Sequence, residues 1–224
     1  MNLLKIGELL ASNVPTPDDK NEIVFLGGSW VEQDQTLEGV SLAAGFKKCT
    51  NAAVGGGGLL AGTTFLTQWN SISDKSKVTH VIICLSTNDY TNHYPIGEWN
   101  SSTIATDNTV CGKLFMLHRA INDYNPFIKT ALFGALPILS HDTSRFPSGE
   151  YQGGADEMNG FFRQYTEIPL KTWENLHCPF LDQWMVLNTA WRWREYFCQS
   201  DELHWKQIAY ERLKNSRIDF LRRI

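Results

Sequence analysis

Val78-Thr79-His80-Val81-Ile82-Ile83-Cys84-Leu85 is a nearly continuous apolar run that stops at Ser86-Thr87-Asn88-Asp89. A strand that is apolar at successive positions, and not only at every second one, has both faces buried, as in the interior of a parallel sheet covered by helices. Ile23-Val24-Phe25-Leu26 has the same character and stops at Gly27-Gly28-Ser29-Trp30. Two such runs restrict the chain to an α/β architecture, and they place Ser29 and Asn88 at the carboxyl edge of the sheet, where ligands bind in open folds of this class. Taken alone, Ser29 reads first as a helix cap whose hydroxyl satisfies a free amide of the first turn. What else reaches the same edge decides between that and chemistry.

Further elements follow in alternation. Residues 1–22 comprise a short amphipathic segment and the turn-rich stretch Pro15-Thr16-Pro17-Asp18-Asp19-Lys20, and are expected to form an N-terminal extension to a single domain over 23–224. Val31 to Gly45 has a weak helical pattern, Phe46 to Val54 reads as a short strand before the glycines Gly55 to Gly58, and Leu59 to Trp69 is helix-compatible. Tyr90 to Asn108 is a long polar and aromatic loop, of the kind that carries function. Val110, Leu114, Leu117 and Ile121, three and four apart, predict an amphipathic helix over Thr109 to Asp123. Phe127 to Leu139 is a fourth strand and Ser140 to Asp156 a second long loop. Met158 to Leu176 is helical in pattern but interrupted by Pro169. Pro179 to Leu187 is a fifth strand, and Gln207 to Leu221 a closing helix. The sum is a three-layer α/β/α sandwich with a five-stranded parallel sheet.

Bulk properties narrow the function classes. At 224 residues the chain supports one sizeable core, and a net charge of −4 with 20% charged residues does not favour a polyanion partner, so nucleic acid is not expected. Arg212, Lys214, Arg217, Arg222 and Arg223 gather near the end but are interrupted by Glu211 and Asp219, and read as the solvated face of the terminal helix. Cys49, Cys84, Cys111, Cys178 and Cys198 are widely spaced and odd in number, which points to reduced, packed thiols. Met1 to Pro15 has neither signal-peptide nor membrane-span character, so a soluble, cytoplasmic chain or a domain excised from a larger protein is expected. Neither a His-x-x-x-His pair nor a cysteine cluster calls for a metal, and no cofactor is expected.

The strand ends carry a set of groups that belong together. Ser29 follows the first strand, Gly56 the second and Asn88 the third, while Asp201 and His204 precede the last helix. Hydrolysis by a serine needs a base to take its proton, an acid to orient that base, and donors aimed at the developing oxyanion. Asp201-Glu202-Leu203-His204 puts a carboxylate and an imidazole three residues apart in a turn entering a helix, within reach of one another.

This pattern resembles the SGNH hydrolases, the GDSL family of esterases and lipases. The family's Gly-Asp-Ser block stands here as Gly27-Gly28-Ser29, with glycine for the acid. Asn-x-Gly-x-x-Gly is matched by Asn51-Ala52-Ala53-Val54-Gly55-Gly56, with alanine for the first glycine. Gly-x-Asn-Asp is matched by Ser86-Thr87-Asn88-Asp89, with serine for the leading glycine, and Asp-x-x-His is intact as Asp201 to His204, followed by Trp205 where proline is usual. No block is specific alone; their order is. The resemblance implies a flavodoxin-like strand order, Ser29 as nucleophile, His204 as base, Asp201 as its orienting acid, and an oxyanion hole of the Ser29 and Gly56 amides with the Asn88 side chain. It also implies a carboxylic ester as substrate.

Eight tryptophans are many for this length. Trp30 follows the nucleophile, Trp205 the base, and Trp99 lies in the loop after Asn88, so these three are expected to contact substrate. With two long polar loops and no apolar lid, they favour a small-molecule or glycan ester, such as an acetyl group on a carbohydrate, over a lipase- or thioesterase-type substrate. Two other classes compete: a catalytically weak, glycan-binding relative, and a dinucleotide binder, since Gly56-x-Gly58-x-x-Ala61 formally fits a phosphate-binding fingerprint. Against the second stand the poor first strand it would require, with Lys47, Lys48 and Thr50, and the lack of a ribose-binding acid after the next strand.

Overall fold

The computed structural model describes residues 20–97, 108–136, 178–187 and 204–224, with positions 197 and 199. Strands β1 (Glu22–Leu26), β2 (Lys48–Asn51), β3 (Val78–Cys84), β4 (Lys129–Phe133) and β5 (Phe180–Leu181) form one sheet in the order β2-β1-β3-β4-β5. All four pairings are parallel. Helices α1 (Ser29–Glu32), α2 (Leu37–Ala43), α3 (Phe65–Ser71), α4 (Asn88–Thr91), α5 (Val110–Tyr124), α6 (Gln183–Leu187) and α7 (Gln207–Arg223) connect and cover it.

The apolar runs explain the layering. Successive side chains of a strand point to opposite faces, so a run apolar at every position must be covered twice. Ile23, Phe25, Ile82, Cys84, Ala131 and Phe133 pack on one side with residues of α1, α2, α6 and α7. Val24, Leu26, Val81, Ile83 and Leu132 pack on the other with Phe65 and Trp69 of α3 and Leu114, Leu117 and Ile121 of α5. Each such aliphatic side chain contributes about 2 kcal/mol on leaving water, which makes β1 and β3, buried along their whole length, the spine of the domain.

Several element boundaries differ from expectation for local polar reasons. The segment after Ser29 forms two short helices, because the Asp34 carboxylate accepts from the amide and hydroxyl of Thr36 and turns the chain between them. The second strand is confined to Lys48–Asn51, and the Asn51 side chain then accepts from the Ala53 amide and donates to the Val31 carbonyl. α3 begins only at Phe65, capped by Thr64, whose hydroxyl accepts from Thr67 N. α5 starts where expected, with the Thr109 hydroxyl accepting from Gly112 N at 3.0 Å. β5 stops at Leu181 because Gln183 reaches back to donate to the Gly134 carbonyl at 2.7 Å, replacing the next bond of the ladder, and the chain continues as α6. The expected helix over Met158 to Leu176 and the loop Ser140 to Asp156 lie outside the described residues.

Arg217 corrects the reading of the C-terminal basic cluster. Instead of lying on the solvated face of α7, its side chain is fully buried, and so is the carboxylate of Asp34 that its Nη1 meets at 2.5 Å. Its Nε donates to Gln183 Oε1 at 2.8 Å, so one guanidinium ties α7 to α6 and to the turn between α1 and α2. Cys49, Cys84, Cys111 and Cys178 are free thiols, and burial pushes that of Cys84 far above its ordinary value. Among the described residues no helix is long and apolar enough to cross a membrane.

Candidate active site

β1 has β2 on one side and β3 on the other, and β3 has β4 beyond it, so the connections leaving the carboxyl ends of β1 and β3 part in opposite directions. At such a switch point the carboxyl ends of the two strands open a crevice. The two sequence blocks that follow β1 and β3 meet there.

Ser29 is the first residue of α1, reached from β1 through Gly27 and Gly28. A Cβ on Gly27 would lie 2.4 Å from Val31 Cγ2, so glycine is required for α1 to turn back on the strand end. Gln68 of α3 grips the same residue, accepting from Gly27 N and donating to Gly27 O, both at 2.9 Å. The strand end is thereby fixed on both sides of the peptide, and Ser29 inherits that position.

His204 arrives from the far end of the chain. Its Nε2 lies 2.8 Å from Ser29 Oγ. The backbone on either side is tied down: the His204 carbonyl accepts from Gln199 N, and Lys206 N donates to the Phe197 carbonyl, both at 2.7 Å. Gln207 Nε2 donates to Gln33 O at 2.8 Å, and Gln33 N closes the last turn of α1 on Ser29 O. Imidazole and hydroxyl are thus anchored to the same short helix, at a separation suited to proton transfer.

Ser29, His204 and Asn88 border a single cavity of about 350 Å³, with Trp30 and Trp205 among its walls. Both tryptophans are almost wholly in the core, Trp30 at 4% and Trp205 at 1% exposure, so each offers the cavity an edge and not an open stacking face. Trp30 is further fixed by its indole N–H, which donates to the Leu85 carbonyl at 3.0 Å. Gly56 takes a φ of +74° in an exposed turn that only glycine enters without strain, but it is not part of the cavity wall. Its neighbour Gly55 comes closer, where a Cβ would stand 4.0 Å from that of Ser29. Asp201 and Trp99 lie outside the described residues.

Thr87, Thr91, Asn92 and Leu136 complete the wall, and none was anticipated. Thr91 and Asn92 could have been found by reading Asn88 onward as helical, since they follow it at the three- and four-residue spacings that share a helix face.

The loop that carries Gly55 to Gly62 is organised by Asp89. Its buried carboxylate accepts from Leu59 N and Leu60 N at 2.8 Å and from Ala61 N at 3.0 Å. Burial raises the Asp89 pKa, and the three amides offset part of that rise. The folded chain therefore holds this proton more tightly than the unfolded chain, and the group's contribution to stability falls as pH climbs through the ordinary carboxylate range to the raised value. Asp89→Ala leaves three amides without their acceptor, and is expected to cost about 2 kcal/mol. A shift of the urea midpoint accompanied by reduced turnover is the expected result, and an unchanged midpoint would contradict it.

No protein-family model and no curated protein matches the chain. Solved structures do. A protein from Lactobacillus plantarum superposes with a TM-score of 0.69 at 15% identity, over 90% of this chain and 96% of that one. The lipase/acylhydrolase from Enterococcus faecalis gives 0.60 at 15% identity, over 90% of this chain and 95% of that one. A GDSL-like lipase from Bacteroides thetaiotaomicron gives 0.61 at 14% identity, over 95% and 96%. With the parallel order β2-β1-β3-β4-β5, these likenesses show that the chain has the three-layer, flavodoxin-like fold of the GDSL-type, or SGNH, hydrolases.

Proposed function

We propose that the chain is a serine ester hydrolase working through an acyl-enzyme on Ser29. The observation that carries this reading is the 2.8 Å contact between Ser29 Oγ and His204 Nε2 at the mouth of a cavity. In the forward step Ser29 Oγ bonds to the ester carbonyl carbon as its proton passes to His204 Nε2. On collapse the ester C–O bond breaks, and His204 returns the proton to the leaving alcohol. Water then repeats the sequence on the acyl-enzyme, releasing the acid and restoring Ser29. Asp201, three residues before His204, is proposed to orient the imidazole through its other nitrogen.

The developing oxyanion is assigned to the Ser29 amide and Asn88 Nδ2, whose residues border the cavity, and to the Gly56 amide on the resemblance of its sequence block alone. Asn88→Ala is expected to lower kcat by about 10²- to 10³-fold, the usual effect of losing one such donor. Steady-state kinetics on a nitrophenyl ester read this directly, and a kcat within threefold of the parent would remove Asn88 from the assignment.

For the substrate, a small acyl group on a carbohydrate is favoured by the modest cavity and by the hydroxyl and amide groups of Thr87, Thr91 and Asn92 along its wall. The competing dinucleotide reading is disfavoured by the Leu59, Leu60 and Ala61 amides, which a pyrophosphate would need and which Asp89 already holds. Covalent labelling by a fluorophosphonate probe, mapped to Ser29 by peptide sequencing and lost in Ser29→Ala, tests the hydrolase reading. Absence of labelling would favour a non-catalytic glycan-binding relative. A panel from acetyl to dodecanoyl esters, together with acetylated sugars, tests the substrate class, and preference for the long chains would replace it with a lipase-type activity.

A further inference from the structure

We infer that Ser86 is a positioning residue for the oxyanion donor Asn88, and that Gly28 is the vacancy which lets it be one; this rests on the hydrolase reading above. The Ser86 hydroxyl accepts from Asn88 N at 3.1 Å and from Asn88 Nδ2 at 2.8 Å. The other Nδ2 proton goes to the Gly57 carbonyl at 2.9 Å. Both carboxamide protons are therefore engaged in the resting site, and the side chain is held from two directions. Ser86 is itself buried, so no bulk water replaces its hydroxyl as the acceptor if it is removed.

Gly28 shares this small volume. A Cβ there would stand 2.6 Å from Ser86 Oγ, 2.8 Å from Gly57 O and 2.9 Å from Asn88 Nδ2. A side chain at position 28 would crowd the Ser86 hydroxyl, the Gly57 carbonyl and the Asn88 carboxamide together. The two departures from the resembled blocks, glycine for the acid at 28 and serine for glycine at 86, meet in this one volume: no side chain enters it from the strand end before Ser29, and a hydroxyl enters it from the strand end before Asn88. The hydroxyl of Ser86 can turn away whereas the backbone carbonyl of Gly57 cannot, so the proton bonded to Ser86 is assigned as the one released when a charged oxyanion, a stronger acceptor than a neutral hydroxyl, competes for it. Ser86 thus sets the carboxamide torsion before reaction and yields the donor during it, which is preorganisation of a charge-stabilising group.

The test is a double-mutant cycle on the intact protein. Ser86→Ala is expected to lower kcat about tenfold, as a small misplacement of a reacting group does, with KM within twofold of the parent. In an Asn88→Ala background the same change is expected to lower kcat by less than twofold, because the group it positions is gone. A merely structural role for Ser86 would act equally in both Asn88 backgrounds, and that result overturns the inference, as does an unaltered kcat in Ser86→Ala. A parent protein that turns over no ester and takes no fluorophosphonate label rejects the hydrolase reading and the inference with it, whereas an active parent with an additive cycle rejects the inference alone.

Discussion

Ser29→Ala is expected to reduce kcat on a short-chain nitrophenyl ester by about 10⁴-fold or more, the range seen when a serine nucleophile is deleted. His204→Ala should do the same, and the double variant should be no worse than either, because nucleophile and base act as one unit. Stability should barely respond. Ser29 is only half-buried, and the bond it loses is one hydrogen bond to His204, a contribution of about 1 kcal/mol. Thermal melting of both variants beside the parent separates lost chemistry from lost structure. Residual turnover within tenfold of the parent would locate the nucleophile elsewhere.

The buried pair of Asp34 and Arg217 is expected to dominate stability among single substitutions. Both side chains are fully excluded from solvent, so removing one leaves the other's charge buried and unpaired, at a cost of about 3 to 5 kcal/mol. For a domain of this length that corresponds to a fall in Tm of roughly 10 °C. Arg217 also lies over the rings of Phe133 and Tyr210, at 5.7 and 6.0 Å from their centroids, and loses those contacts as well. Asp34→Ala and Arg217→Met should each show the loss in urea denaturation. The combined replacement should be less damaging than the sum, since it leaves no orphaned charge. Additive losses would mean that the pair is not coupled.

The pair also shows where reading from sequence reached its limit. Arg217 has Leu213, Phe220 and Leu221 at helical spacing and so interrupts the apolar stripe of α7, a signal that grouping it with Arg222 and Lys214 by charge alone passed over. Its partner is 183 residues away. Only the packing of α7 against α6 and the turn after α1 supplies the groups that pair this cation. The same holds for Gln68, whose hold on Gly27 spans 41 residues, and for Gln183, which ends β5 by capturing the carbonyl of Gly134, just past β4.

What the sequence determined by itself is whatever depends on composition over a few residues. Apolar residues at consecutive positions in Ile23 to Leu26 and Val78 to Leu85 demand two covered faces, so the central strands, the parallel sheet and its three layers were all readable. The spacing of Val110, Leu114, Leu117 and Ile121 likewise marked α5 to within a residue. The ends of β1 and β3 followed, and with them the neighbourhood of Ser29 and Asn88. What only the tertiary structure decided is every relation between groups distant in the chain. The 2.8 Å approach of Ser29 to His204 crosses 175 residues, and the close approach of Gly28 to Ser86 is invisible until the two strand ends lie side by side. The reason is physical: local pattern reports how a segment partitions between water and core, whereas hydrogen bonds and steric exclusion depend on separations of tenths of an ångström that arise only once the layers have packed.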